Sequence, residues 1–213
     1  SGSRGLGDVY KRQHTEYSML DGAAKIVDYL KKVKESNQPA AAITDHGNLY
    51  GAMEFVQKAN DFGIKPIIGY EAYITPGSRF DRPDRENNKR YHLTLLAENN
   101  IGYQNLVELV SKAYTEGYYY KPRIDYELLD QHHDGLIALS GCLGGELAQH
   151  LAPDGSVEEG NTSNERSFEK ALDIAKKYQS IFGKENYFIE IHNHGIKQQL
   201  DILDDLVEIA QLI

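Results

Sequence analysis

Cysteine is almost absent from this sequence, and no long apolar segment occurs in it. The 213 residues include one cysteine, Cys142, which excludes an internal disulfide and favours a reducing, cytoplasmic compartment. No apolar run approaches the roughly 20 residues that a membrane-spanning helix needs, so we expect no membrane partner. Excess positive charge is also missing. The net charge of −9 argues against a surface that holds nucleic acid by general electrostatics.

Strand-like and helix-like segments alternate along the chain. The length and the hydrophobic content of 40% are typical of one soluble domain. Apolar periodicity predicts helices over 22–36, 49–62, 101–114, 164–182 and from 196 to the end, and strands over 40–46, 65–74, 91–97, 136–139 and 187–191. This alternation predicts an α/β fold with a parallel sheet and helical crossovers. The polar segment 75–88 is expected to be a mobile loop.

Residues that can bind a metal lie within or just after three of the predicted strands. The segment 40–47 reads AAAITDHG and ends in Asp45 and His46, the strand after it carries Glu71, and the segment 136–142 ends in Cys142. Because the carboxyl ends of parallel strands meet at one edge of a sheet, we expect these side chains to share one metal site. Imidazole and thiolate suit Zn²⁺, whereas Mn²⁺ and Mg²⁺ accept more carboxylate.

Ordered motifs from residue 14 onward resemble one known domain family. They are HTEYSMLDG at 14–22, ITDHGNLYG at 43–51, GYEAY at 69–73, HLTLLA at 92–97, GYQNL at 102–106, KPRID at 121–125 and GLIALSGC at 135–142. Together they resemble the N-terminal polymerase-and-histidinol-phosphatase (PHP) domain of bacterial DNA polymerase III alpha subunits. The resemblance implies a distorted (β/α)7 barrel with parallel strands and a phosphoesterase site at the strand C-termini. That site would hold up to three ions of Zn²⁺, Mn²⁺ or both.

The same resemblance implies a set of metal ligands, namely His14, Asp21, His46, Glu71, His92 and Cys142. Glu71 resembles a bridging carboxylate, with His92 and Cys142 sharing its metal. His92 stands near the start of its strand rather than the end. The family's first histidine would fall at Arg12, and its closing Asp-x-His would lie beyond Ile213. We therefore expect one tightly bound metal rather than three.

The roles of four further residues are open at this point. Asp45 either supports His46 or the local structure, which we favour, or caps the helix after Gly47. Arg79, Lys121 and Arg123 are candidate substrate contacts. The segment 118–123, YYYKPR, suits base stacking and phosphate binding, although packing of the tyrosines against the barrel is the simpler interpretation.

Residues 1–7 resemble a linker more than a strand, and we expect residues 1–13 to be an artefactual leader outside the fold. Residues 14–213 would then be a PHP domain truncated at its C-terminus. The resemblance implies an N-terminal fragment of a DNA-directed DNA polymerase, a nucleotidyltransferase of DNA replication. Its nucleotidyl-transfer carboxylates and their Mg²⁺ would lie in the missing part, so we expect no primer extension by this chain.

The domain itself would be a metal-dependent phosphoesterase, with 3′-5′ exonuclease proofreading as the specific form. DNA would be reached through the intact polymerase, and the proofreading exonuclease and the sliding clamp would be replisome partners. Two alternatives stay open. One is a non-catalytic platform that binds the proofreading exonuclease. The other is a free-standing histidinol-phosphate-type phosphatase, which the motifs at 102–106 and 121–125 disfavour.

Overall fold

One sheet with helices packed against it makes up the part of the chain that the computed structural model describes, residues 12–19, 22–85, 87–152 and 166–213. The strands are β1 (Arg12–Gln13), β2 (Ala40–His46), β3 (Lys65–Ile74), β4 (Tyr91–Ala97), β5 (Arg123–Ile124), β6 (Leu136–Leu139) and β7 (Tyr187–Phe188). The helices are α1 (Ile26–Glu35), α2 (Ala52–Phe62), α3 (Asn100–Thr115), α4 (Tyr126–Gln131), α5 (Glu146–Leu151), α6 (Phe168–Phe182), α7 (Lys197–Asp201) and α8 (Leu203–Leu212).

The strand order is β1-β2-β3-β4-β6-β7, and β5 pairs with the far end of β3. The pairs β1/β2, β2/β3, β3/β5 and β6/β7 are parallel. Helices connect most of these strands, as parallel pairing requires. The predicted α/β class with parallel strands is therefore confirmed.

Strand β4 differs from the prediction because it runs antiparallel to both of its neighbours, β3 and β6. The chain reaches β4 from β3 through the loop 75–90 and not through a helix, so it returns in the opposite direction. In the resulting register Tyr73 lies opposite His92. The first residues of β4 thus lie at the sheet edge where β2 and β3 end.

The core is built from the apolar faces of the helices and from strands that are covered on both sides. In β2 the five residues from Ala41 to Asp45 are buried, as expected of a parallel strand that is covered on both faces. On α1 the residues Ile26, Leu30 and Val33 are fully buried at helical spacing. Packing of this kind fixes the strand ends, and the strand ends carry the candidate site.

Three boundaries differ from those predicted. Arg12 and Gln13, which we expected to lie in a leader, form β1 against β2, while residues 1–11 are outside the described part. Helix α6 has Ser167 as its N-cap, accepting from the N–H of Lys170, rather than residue 163 or 164, which are not described. The last predicted helix is divided at the buried Ile202 into α7 and α8.

Among the helices that the structure describes, none is both long and apolar enough to cross a bilayer.

Candidate metal centre

The sheet brings together His14, which follows β1, His46, which ends β2, and Glu71, which lies in the second half of β3. His46 lies opposite Glu71 in the parallel register of β2 and β3, and His14 follows β1 directly. The Glu71 carboxylate lies 3.5 Å from Nε2 of His14 and 3.3 Å from Nδ1 of His46. The two imidazole rings stack with their centroids 4.1 Å apart. The donor atoms of these three residues all lie within 4.8 Å of one another.

A second group of donors shares the same carboxylate. Nδ1 of His92 lies 2.6 Å from Oε1 of Glu71 and 3.6 Å from Sγ of Cys142. The donor atoms of Glu71, His92 and Cys142 again lie within 4.8 Å of one another. His92 reaches this position because β4 is antiparallel, so that the start of its strand lies beside the end of β3. Of the six predicted ligands, only Asp21 lies outside the described residues.

Glu71 is the centre of both groups and is only 1% exposed. Burial raises the pKa of its carboxyl, but the hydrogen bond and charge of His92, together with His14 and His46, hold that pKa well below its usual range. The carboxylate is therefore the stable form inside the protein. An ionised carboxylate surrounded by imidazoles is a ready-made divalent cation ligand.

Asp45 anchors the loop that carries His14. Its carboxylate accepts hydrogen bonds from the backbone N–H of Thr15 at 2.6 Å and from the hydroxyls of Thr15 and Ser18 at 2.8 and 2.7 Å. The Ser18 hydroxyl in turn accepts the backbone N–H of His46 at 3.1 Å. Asp45 thus joins the two segments that carry His14 and His46, in keeping with the supporting role that we favoured.

The alternative role for Asp45, capping the next helix, does not apply. Helix α2 begins at Ala52, and its N-cap position is Gly51. Asp45 lies at the end of β2, before the turn that leads into that helix, and its carboxylate faces the opposite segment.

A tight turn after β6 delivers Cys142. The N–H of Gly144 donates to Sγ of Cys142 at 3.3 Å, and the carbonyl of Gly144 accepts the N–H of His92 at 2.8 Å. A Cβ at position 144 would lie 2.9 Å from Nδ1 of His92, which is too close for any side chain. The glycine therefore allows the cysteine turn to approach the histidine.

Tyr73 and Lys121 form a wall of the site that we did not predict as a unit. The Tyr73 ring lies 6.2 Å from the ring of His46 and 5.3 Å from that of His92. The Lys121 ammonium lies over the Tyr73 ring and donates to its hydroxyl at 3.3 Å. Alternation along β3 could have revealed Tyr73, since residues two apart in a strand face the same side. Lys121 stays a candidate substrate contact.

Arg79 and Arg123 do not lie in the site, which corrects their expected role as substrate contacts. Arg123 is fully buried and donates to Asn88 Oδ1 and to the carbonyls of Gly117, Arg79 and Asp81. Arg79 is 7% exposed and forms ion pairs with Glu116 at 2.7 Å and Asp125 at 3.1 Å. Both guanidinium groups tie the loop 75–88 to the body of the domain. That loop is anchored, contrary to the mobile loop that we expected.

We expect Arg123→Ala to destabilise the fold by about 3 kcal/mol or more, because it empties a buried volume and removes the donor to four acceptors. Chemical denaturation of the metal-free protein measures this effect. Arg166→Ala is the matched control, since Arg166 is exposed and pairs with Asp205 on the surface, where an ion pair contributes about 1 kcal/mol at most. An equal effect of the two substitutions would contradict the structural role of Arg123.

The donor set fits transition-metal binding. Each of the two groups offers three side-chain donors, about the number that a catalytic zinc site uses while it leaves a position for water or substrate. Imidazole and thiolate beside a carboxylate suit Zn²⁺, and the carboxylate also suits Mn²⁺. These residues could therefore hold metal ions. Glu190 and His192, 3.0 Å apart, line a cavity next to Cys142 and are further polar groups at this edge.

Fold and site together define an α/β domain with a histidine-, cysteine- and carboxylate-lined centre at its strand ends. A family model described as PHP domain matches residues 11–194. The chain therefore belongs to the PHP domain family.

Similar curated proteins include the DNA polymerase III subunit alpha of Thermus aquaticus, 50% identical over 211 residues, and that of Deinococcus radiodurans, 50% identical over 199 residues. These alignments cover 95% and 90% of this chain but 16% and 14% of the relatives. The chain thus spans about one sixth of their length. A solved amidohydrolase from Chromobacterium violaceum is 15% identical with a TM-score of 0.42, covering 95% of this chain and 81% of that one. That similarity is too low to inform on function.

Proposed function

We propose that this chain is the PHP-domain part of a bacterial replicative DNA polymerase III alpha subunit, and that its own site hydrolyses phosphoester bonds with divalent metal ions. One observation carries the hydrolytic part. The Glu71 carboxylate belongs to two donor groups, one that contains His14 and His46 and one that contains His92 and Cys142. The identity of 50% with the relative from Thermus aquaticus supports the polymerase part.

The proposed ligands would bind two ions that share Glu71. Bound there, divalent metal would supply the Lewis-acid chemistry that phosphoester hydrolysis needs, namely polarisation of the phosphoester, activation of water and stabilisation of the leaving oxygen. His14 and His46 hold one side through stacked rings, and His14 Nδ1 lies 2.6 Å from the carbonyl of Thr44. This contact orients Nε2 toward Glu71. His92 and Cys142 hold the other side, fixed by the turn at Gly144.

Lys121 and Tyr73 would receive the phosphate. The Tyr73 ring lies beside His46 and His92, and the Lys121 ammonium group, which contacts Tyr73, supplies positive charge at the wall of the site. The tyrosine hydroxyl accepts from Lys121, so its own proton is available to a phosphate oxygen. This positioning favours an anionic substrate beside the metal ligands.

The activity of the whole polymerase is part of the same proposal. A protein of this kind would extend DNA by nucleotidyl transfer with Mg²⁺ elsewhere in its chain, in the cytoplasm. It would work with replisome subunits such as the proofreading exonuclease and the sliding clamp. The hydrolysis proposed for this domain would take the form of 3′-5′ exonuclease proofreading.

We expect about two metal ions per chain, because each donor group offers three ligands. This exceeds the single ion expected from the sequence, since the structure adds His14 and His46 as a group around Glu71. Cys142→Ala should remove one ion, and His46→Ala should remove the other. Elemental analysis of protein loaded with Zn²⁺ or Mn²⁺ measures the number. His132→Ala is the matched control, because His132 lies near Asn105 and away from the site. Loss of both ions, or of neither, in the Cys142 variant would contradict this assignment.

Hydrolysis tests the proposed function directly. The loaded protein should cleave bis-p-nitrophenyl phosphate, and a chelator should abolish the activity. A 5′-labelled single strand should shorten one nucleotide at a time from its 3′ end. Metal-loaded protein that cleaves neither substrate would overturn the proposed activity, and cleavage within the strand would overturn the exonuclease form.

A further inference from the structure

We infer that a surface around Tyr120 binds single-stranded nucleic acid and leads it toward the Glu71 centre. The surface consists of a basic cavity, lined by Arg85, Asn88, Arg90 and Tyr120, and of the exposed tyrosines beside it. The inference that this surface binds a single strand does not depend on the proposed function. The step that delivers the strand to the metal ions rests on the proposed function.

The charge of this surface is opposite to that of the whole chain. Between residues 79 and 90 five basic residues outnumber three acidic ones, although the chain carries a net charge of −9. Arg79 is neutralised by Glu116 and Asp125. Arg85 and Arg90 line the open cavity. Local positive charge in an acidic protein favours a phosphate-bearing ligand at this place.

Aromatic rings extend from the cavity over the neighbouring surface. Tyr120 and Tyr50 are each 65% exposed, and Tyr118 is 54% exposed. Tyr118 stacks on Tyr114 with centroids 6.1 Å apart, and Tyr114 hydrogen-bonds to Tyr50. Exposed rings beside arginines are how proteins hold unpaired bases, because every base has a face to stack.

The local backbone presents Tyr120 outward. Its φ of 60° is a left-handed conformation that is unfavourable for a residue with a side chain. Tyr119 turns inward instead, with its hydroxyl donating to the carbonyl of Pro83 at 2.7 Å. The three tyrosines of the segment 118–120 therefore point in different directions. The middle tyrosine packs as we favoured, and its two neighbours face solvent as base stacking requires.

The surface is continuous with the metal centre. Lys121 follows Tyr120 directly and donates to the hydroxyl of Tyr73, whose ring lies beside His46 and His92. A strand whose base stacks on Tyr120 would therefore have its next phosphate near Lys121. This arrangement favours a single strand over a duplex, whose bases are not available for stacking.

Fluorescence anisotropy with a labelled oligothymidylate of about 20 nucleotides tests the inference. The assay uses the whole chain in EDTA at low salt, so that binding is measured without hydrolysis. Tyr120→Ala should weaken binding by about tenfold, and Tyr120→Phe should retain it because the ring remains. The double variant R85Q/R90Q should weaken binding and lower the slope of log affinity against log salt by about 0.7 for each lost phosphate contact.

Phe188→Ala is the control for an exposed aromatic residue elsewhere, on β7, where Phe188 is 47% exposed. It should bind like the unmodified chain, and a duplex of the same sequence should compete poorly. Unchanged affinity in both Tyr120→Ala and R85Q/R90Q, with the fold intact by circular dichroism, would overturn the inference and leave the surface to a protein partner. Strand binding without any hydrolysis would support this inference while the proposed activity failed, so the two outcomes are distinguishable.

Discussion

Glu71→Gln is expected to abolish hydrolysis and to remove both metal ions. The substitution preserves shape but takes away the negative charge that both donor groups share, and Gln is a poor ligand for Zn²⁺. The loss of activity should exceed the roughly 10–100-fold that substitution of residues behind the ligands causes. Elemental analysis and cleavage of bis-p-nitrophenyl phosphate measure the two effects.

Glu98→Gln is the control for this substitution, because Glu98 is exposed just after β4 and lies outside both donor groups. It should retain metal and activity. The comparison with Cys142→Ala adds a second test, since only Glu71 belongs to both groups. A Glu71 variant that keeps one ion and most of its activity would show that the carboxylate is not shared.

Asp45→Ala is expected to destabilise the fold by about 3 kcal/mol or more. The carboxylate is 1% exposed and accepts from three donors of Thr15 and Ser18, and each buried donor left without a partner costs about 1–3 kcal/mol. The variant should also lose the metal ion that we propose His14 and His46 to hold, because the loop that carries His14 is released. The ion at His92 and Cys142 should remain.

Asp61→Ala is the matched control, since Asp61 is an exposed aspartate on α2, and its effect should lie within about 0.5 kcal/mol. Asp45→Asn should be intermediate, because the amide keeps one oxygen acceptor and loses the other. Chemical denaturation of the metal-free proteins measures stability, and elemental analysis measures the ions. Equal stability of Asp45→Ala and Asp61→Ala would refute the anchoring role.

Sequence patterns alone identified most of the strands and helices, and three of the five described metal-ligand candidates stood out by position. His46 ends β2 and Cys142 follows β6, while Glu71 lies within the buried run of β3, and the sheet brings all three to one edge. Local periodicity is enough to find them, because consecutive residues determine the hydrophobic pattern of a strand. The motif resemblance added His14 and His92, together with Asp21, which is not among the described residues.

Only the tertiary structure decided which segments that are far apart in the chain come into contact. The direction of β4 explains how His92, at the start of its strand, reaches Glu71, and direction is not encoded in the strand's own pattern. From the sequence we expected Arg79 and Arg123 to be loop cations that bind substrate. In the fold, partners some 40 residues away bury both side chains. Asp45 was ambiguous for the same reason, since Thr15 and Ser18 meet it only in the fold. Burial and pairing of a polar side chain depend on distant neighbours, and for that physical reason a local pattern cannot determine them.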